Sequence, residues 1–132
     1  MRTHFGILFF AISLSSLIPA ANWPRFRGPN GNGLSTSAIP VIWEKSNFKW
    51  KTTLPGSGHG SPVVWGNHIF LLCANEQTGE RTVVCLNTKA GKIQWQHTHA
   101  ADIHKHHKQN SFASSTPAVD GDQVYFSWGT KK

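Results

Sequence analysis

Apolar positions fall into two regimes along this chain. The first is one unbroken run of apolar and small residues, Phe5 to Ile18, preceded by Arg2 and His4. Beyond it, apolar residues gather in short runs bounded by Gly, Asn, Asp and Pro, with no long stretch of helical periodicity. Runs of this length, rich in Val, Ile, Phe and Trp, predict β-strands. The expected strands are Asn47 to Thr53, Ser61 to Trp65, His68 to Ala74, Arg81 to Asn87, Lys92 to His97, Thr116 to Asp120 and Gln123 to Trp128. Between them lie Gly66-Asn67, Gln77-Thr78-Gly79, Lys89-Ala90-Gly91 and Gly121-Asp122, turn residues that tolerate positive φ.

Self-comparison decides the architecture. Ser61-Pro62-Val63-Val64-Trp65-Gly66-Asn67-His68-Ile69-Phe70 recurs as Thr116-Pro117-Ala118-Val119-Asp120-Gly121-Asp122-Gln123-Val124-Tyr125, an offset of 55 residues. A shorter echo relates Phe48-Lys49-Trp50-Lys51 to Ile93-Gln94-Trp95-Gln96 at an offset of 45. The difference of ten puts a longer linker after the outermost strand. Four strands per unit at this spacing fit a propeller blade, which needs neighbours to cover its faces. An all-β sandwich accommodates seven short strands but does not explain the repeat. The expectation is an all-β partial β-propeller: residues 22–46 a leader, 61–97 one complete four-stranded blade, 98–115 a His-rich linker and 116–132 part of a second blade. Residues 47–53 would be an orphan outer strand of the ring-closing kind. Propellers have four to eight blades, so at about 45 to 55 residues each even six blades need roughly 300 residues. The chain then corresponds to a fragment of a longer protein.

Charge and the first residues place the molecule. The apolar run is about 14 residues, reaching about 21 Å as a helix against a bilayer core of about 30 Å, and Pro19-Ala20-Ala21 supply small residues for a cut. Residues 1–21 thus read as a signal peptide, and the product as periplasmic or secreted, with no stable membrane span. Without Arg2, 12 Lys and Arg face 6 Asp and Glu, a net charge of +6, never with more than two cations adjacent. A nucleic-acid surface would cluster them, so no nucleic-acid partner is expected. An exported compartment permits a disulfide. A turn over Asn75 to Glu80 centred near Gly79 would set Cys73 and Cys85 about opposite each other; bridged and free thiols both remain open.

Cys85-Leu86-Asn87-Thr88-Lys89-Ala90-Gly91-Lys92-Ile93-Gln94-Trp95 resembles the tryptophan-docking motif of pyrroloquinoline-quinone (PQQ)-like β-propellers, Ala-x-Asp-x-x-Thr-Gly-x-x-x-Trp. Gly91 and Trp95 match in place, and Asn87 can close the turn as the usual Asp does. The motif is structural: Gly91 takes the tight turn and Trp95 lays its ring on the adjacent blade. Asn22-Trp23-Pro24-Arg25-Phe26-Arg27-Gly28-Pro29-Asn30-Gly31-Asn32-Gly33 is similar to the leader of exported quinoprotein-like propellers of planctomycete-type bacteria, and Leu54 to Pro62 continues it. The resemblance spans Asn22 to Trp128. It implies either a binding or scaffolding module of the cell envelope, whose partners are further blades or envelope proteins, or the N-terminal part of a PQQ-dependent dehydrogenase for alcohols or sugars. PQQ and Ca²⁺ would belong only to such a complete enzyme, and fold alone does not choose between these roles.

Little catalytic chemistry stands out. None of Glu44, Glu76, Glu80, Asp102, Asp120 and Asp122 falls in a catalytic motif of that family, and His59 beside Ser61 has no orienting acid. No catalytic residue is assigned. The ten-residue surplus holds His97, His99, His104, His106 and His107, on the face expected to carry the Asn75 to Glu80 turn. His104 with His106 or His107 are the candidate metal ligands, although Lys105 and Lys108 oppose a cation there. Gly28 to Gly33 and Gly56 to Gly60 lack phosphate-loop spacing and read as turn glycines.

Overall fold

A computed structural model describes residues 22–129. The expected signal peptide, residues 1–21, lies outside the described residues. Among them, no helix is long and apolar enough to cross a membrane.

The architecture is all-β. Strands β1 (Val63–Trp65), β2 (His68–Ala74), β3 (Arg81–Asn87) and β4 (Ile93–His99) form an antiparallel four-stranded meander in sequential order, and β5 (Ala118–Asp120) and β6 (Gln123–Tyr125) form a separate hairpin. No ring is closed among the described residues. β2 and β3 match their expected bounds because Ile69 to Ala74 and Val83 to Leu86 are continuous apolar runs buried on both faces. β1 and β5 begin two residues later than expected, each directly after a proline, Pro62 or Pro117, which has no N–H for a ladder. β6 ends at Tyr125, short of Trp128.

The two short hairpins are alike in detail. Trp65 pairs with His68 across Gly66-Asn67, and Asp120 pairs with Gln123 across Gly121-Asp122. Gly66 and Gly121 adopt φ of +56° and +57° at the first central position, the II′ geometry whose twist suits a tight hairpin. Val63, Phe70 and Cys85 pack with Val119 of β5, and Val124 of β6 joins them, so the second hairpin sits on one face of the meander. That face continues through Leu72, Ala74 and Val83, covered by Phe112 and Ala113. The opposite face, with Cys73, Val84 and Leu86, is covered by Trp50 and Leu54.

The segment Asn47 to Thr53 is not a strand. Lys45–Asn47 is a 3-10 turn and the following residues join no ladder. A strand needs a neighbour to take its alternate N–H and C=O groups, and no described strand lies beside this segment. It is held instead by side chains: the Trp50 indole N–H donates to the Thr88 carbonyl (2.9 Å) and the Thr52 hydroxyl donates to the Gly91 carbonyl. The free edge of β1 is taken by the leader. Trp23 and Val64 exchange backbone bonds of 2.8 and 2.9 Å, and the Val119 N–H donates to the Pro24 carbonyl at 2.8 Å, so the leader ties β1 to β5.

The cysteines are not opposite each other. The β2–β3 register pairs Cys73 with Thr82 and Cys85 with Phe70, which places the two thiols on opposite faces of the sheet. Both are buried and free. The turn is centred between Gln77 and Thr78 rather than at Gly79, and that shift removes the expected juxtaposition.

Candidate functional site

Two turns of one design close the two ends of β3, the first of them at the end from which the linker leaves β4. Asn75-Glu76-Gln77-Thr78-Gly79 and Asn87-Thr88-Lys89-Ala90-Gly91 each begin with an Asn whose Oδ1 accepts two backbone N–H groups, from Gln77 (2.9 Å) and Thr78 (3.2 Å) in one, Lys89 (2.9 Å) and Ala90 (3.1 Å) in the other. Each ends on a glycine, at φ +81° for Gly79 and +65° for Gly91, whose N–H returns to the Asn carbonyl. A Cβ at Gly91 would lie 2.3 Å from the Trp50 ring, and one at Gly79 2.4 Å from the Ala101 carbonyl oxygen. Both glycines are therefore docking points, one for the 50–52 segment and one for the linker. Asn87 thus closes its turn through Oδ1 while Gly91 takes the positive φ. The Asn75 turn, expected as a turn, also fits the motif: Asn75-Glu76-Gln77-Thr78-Gly79 matches Asp-x-x-Thr-Gly at Thr78 and Gly79, where the second turn matches only at Gly91.

Trp95 reaches its face through a bulge. The pairing steps from Cys85↔Trp95 to Leu86↔Ile93, leaving Gln94 as the extra residue. Without that insertion Trp95 would oppose Val84 and point to the other face. With it, Trp95 stands beside Phe70 (ring centroids 5.9 Å apart) and His97 (5.3 Å), on the side that carries the β5–β6 hairpin. His97 ends the expected strand, and His99, which the sequence places in the linker, also belongs to β4 because the ladder continues to Arg81↔His99. Between β4 and the second hairpin lies an open cleft of about 570 Å³, lined by Trp95, His97, His99, Asp122, Val124 and Phe126. His99 also packs on Trp128 at 5.3 Å.

The linker is clamped at the Asn75 turn. Arg81, only 1% exposed, donates to the Gly79 carbonyl and to the Asp102 carbonyl, and its guanidinium carbon lies 4.1 Å from the Phe112 ring centroid. Its Nε has no acceptor among the described residues. Burial holds this guanidinium below the usual arginine range, a shift that the Glu76 carboxylate opposes. Glu76 in turn accepts from the Phe112 N–H (3.3 Å) and meets His106 Nε2 at 3.2 Å. The sequence gives Arg81 no role and weighs Glu76 only as a carboxylate outside any catalytic motif; a lone arginine opening an apolar strand run is the available signal.

The three candidate ligands do not share one focus. His104 and His106 both pack on Phe112, with centroids 5.0 and 4.6 Å away, while His107 Nδ1 accepts from the Gln109 N–H at 3.2 Å. His106 commits Nε2 to Glu76 and has Nδ1 at 3.0 Å from the His107 carbonyl. Among the described residues, no group of three or more His, Cys, Asp and Glu side chains is placed to hold a metal ion. The Gly56 to Gly60 stretch is occupied by its own chain: Ser57 exchanges bonds with Ala74, and the N–H groups of His59 and Gly60 donate to the Ala113 carbonyl. Burial pushes both thiols up from the ordinary 9.0, so each stays protonated at neutral pH.

No protein-family model, no curated protein and no solved structure matches the chain.

Proposed function

We propose that the chain is part of an exported PQQ-like β-propeller repeat protein acting as a binding or scaffolding module of the cell envelope. What carries the reading is the pair of equivalent hairpins. Sequences 55 residues apart take the same register and the same glycine-first turn, and the second lies on the first through Val63, Phe70, Val119 and Val124. Units that cannot cover their own faces and stack on their copies are the logic of repeat architectures. Trp95, turned by its bulge toward the neighbouring hairpin, fits the docking role of the motif it resembles. A binding role is favoured because β4 presents Ile93, Trp95 and the Gln94 and Gln96 amides beside His97 and His99, a mixed aromatic and polar surface apt for recognition.

A photo-crosslinking amino acid at the exposed Gln96, introduced in the exporting cell, tests this. A discrete adduct with an envelope protein is expected, and no adduct under any growth condition would overturn the scaffold role. Reconstitution with PQQ, Ca²⁺, an alcohol and an artificial electron acceptor is expected to give no turnover; turnover would move the assignment to a dehydrogenase.

A further inference from the structure

We infer that residues 34–51 form a peripheral docking surface for an anionic phospholipid bilayer, an interaction that does not depend on the repeat assignment. Apolar side chains in this segment point into solvent: Val41 is 97% exposed, Ile39 75% and Ile42 74%. Trp43 and Phe48 are more than half or half exposed beside them, with ring centroids 6.4 Å apart. Leaving so many large apolar side chains in water is unfavourable unless something else receives them.

The segment holds a defined shape. The Glu44 N–H donates to Asn47 Oδ1 at 2.7 Å and the Asn47 N–H returns to the Glu44 carbonyl at 3.0 Å, closing the 3-10 turn between Trp43 and Phe48. Trp50 anchors its far end to the sheet through the Thr88 carbonyl.

Charge selects the occupant. Lys45, Lys49 and Lys51 are all exposed here, and the Lys51 ammonium lies 4.7 Å from the Phe48 ring centroid. Arg25 and Arg27 precede them, and Glu44 is the only carboxylate between residues 22 and 51. Apolar side chains that enter the acyl boundary, an indole suited to the headgroup level and ammonium groups that meet lipid phosphates are the components of an interfacial anchor. A protein groove of matching shape would not require the surrounding cations.

Co-sedimentation of the purified protein with vesicles of mixed phosphatidylglycerol and phosphatidylcholine, and of phosphatidylcholine alone, tests the proposal. Binding is expected only to the anionic vesicles and should fall at high salt. Lys45→Gln with Lys49→Gln should weaken it about 25-fold, taking about fivefold per lysine near an anionic surface. Val41→Asp with Ile42→Asp should weaken it more than tenfold, with an unchanged circular dichroism spectrum because both side chains lie largely in solvent and outside the core clusters. Lys105→Gln with Lys108→Gln, in the linker, should leave it unchanged. Failure of the parent protein to bind, undiminished binding of either segment variant, or an equal loss in the linker variant would each overturn the proposal. Any contribution from residues 1–21 is common to all variants and cancels in these comparisons.

Discussion

Gly91 and Gly66 separate two costs that a substitution can carry. Both have positive φ, but a Cβ at Gly91 meets the Trp50 ring at 2.3 Å, whereas nothing lies within 4 Å of one at Gly66. Gly66→Ala should therefore cost about 1 kcal/mol from backbone strain alone, and Gly91→Ala about 2–5 kcal/mol from strain plus overpacking. Urea denaturation of the two variants checks the order, and equal losses would mean that Trp50 is not seated on Gly91. Asn87→Ala, which strands two turn N–H groups, should cost about 1–2 kcal/mol, and Asn87→Asp much less. The thiols predict a pH dependence with a definite sign. Folded Cys73 and Cys85 hold their protons more tightly than an unfolded thiol does, so the unfolded state loses protons first as pH rises past about 9.0. Stability should be level below that value and decline above it, and Cys73→Ala with Cys85→Ala should flatten the decline in denaturation midpoints measured across that range.

At the level of elements, legibility followed whether a segment's partners were local. β2 and β3 were readable to the residue because both faces are buried and a turn closes each end, so the apolar run and the strand coincide. β4 was readable in place but not in extent: Ile93 to His99 is exposed throughout, and its length is set by pairing with β3 rather than by its own hydrophobicity. The segment 47–53 has strand-like composition without a strand beside it, and composition alone does not satisfy a backbone. The cysteine pairing failed by a shift in the turn centre, which composition does not encode. The linker clamp was invisible because Glu76 and Arg81 lie 36 and 31 residues before Phe112, share no motif with it and meet it only after the meander forms. Glu76→Ala removes the acceptor for both the Phe112 N–H and His106, and should speed amide exchange over residues 102–113 while leaving β2 and β3 protected. Uniform exchange across the molecule in that variant would contradict a local clamp.

As a whole molecule, the described chain is a covered sheet with uncovered margins. β4 has no strand on its outer side among the described residues, and the cleft beside Trp95, His97 and Phe126 stays open. Such edges and apolar surface favour association over a self-contained monomer. The isolated chain should melt broadly at low temperature; a sharp two-state transition of a monomer would oppose this. The repeat, legible as a 55-residue echo, becomes in three dimensions a stacking of two equivalent hairpins, while the leader takes the free edge of β1. The stacking is the central claim, and methyl-resolved nuclear Overhauser contacts test it most directly. Cross-peaks between the Val63 and Val119 methyls, and between the Phe70 ring protons and the Val119 methyls, are predicted alongside those within each hairpin. Intact signals within both hairpins with none between them would show two copies that fold side by side without stacking.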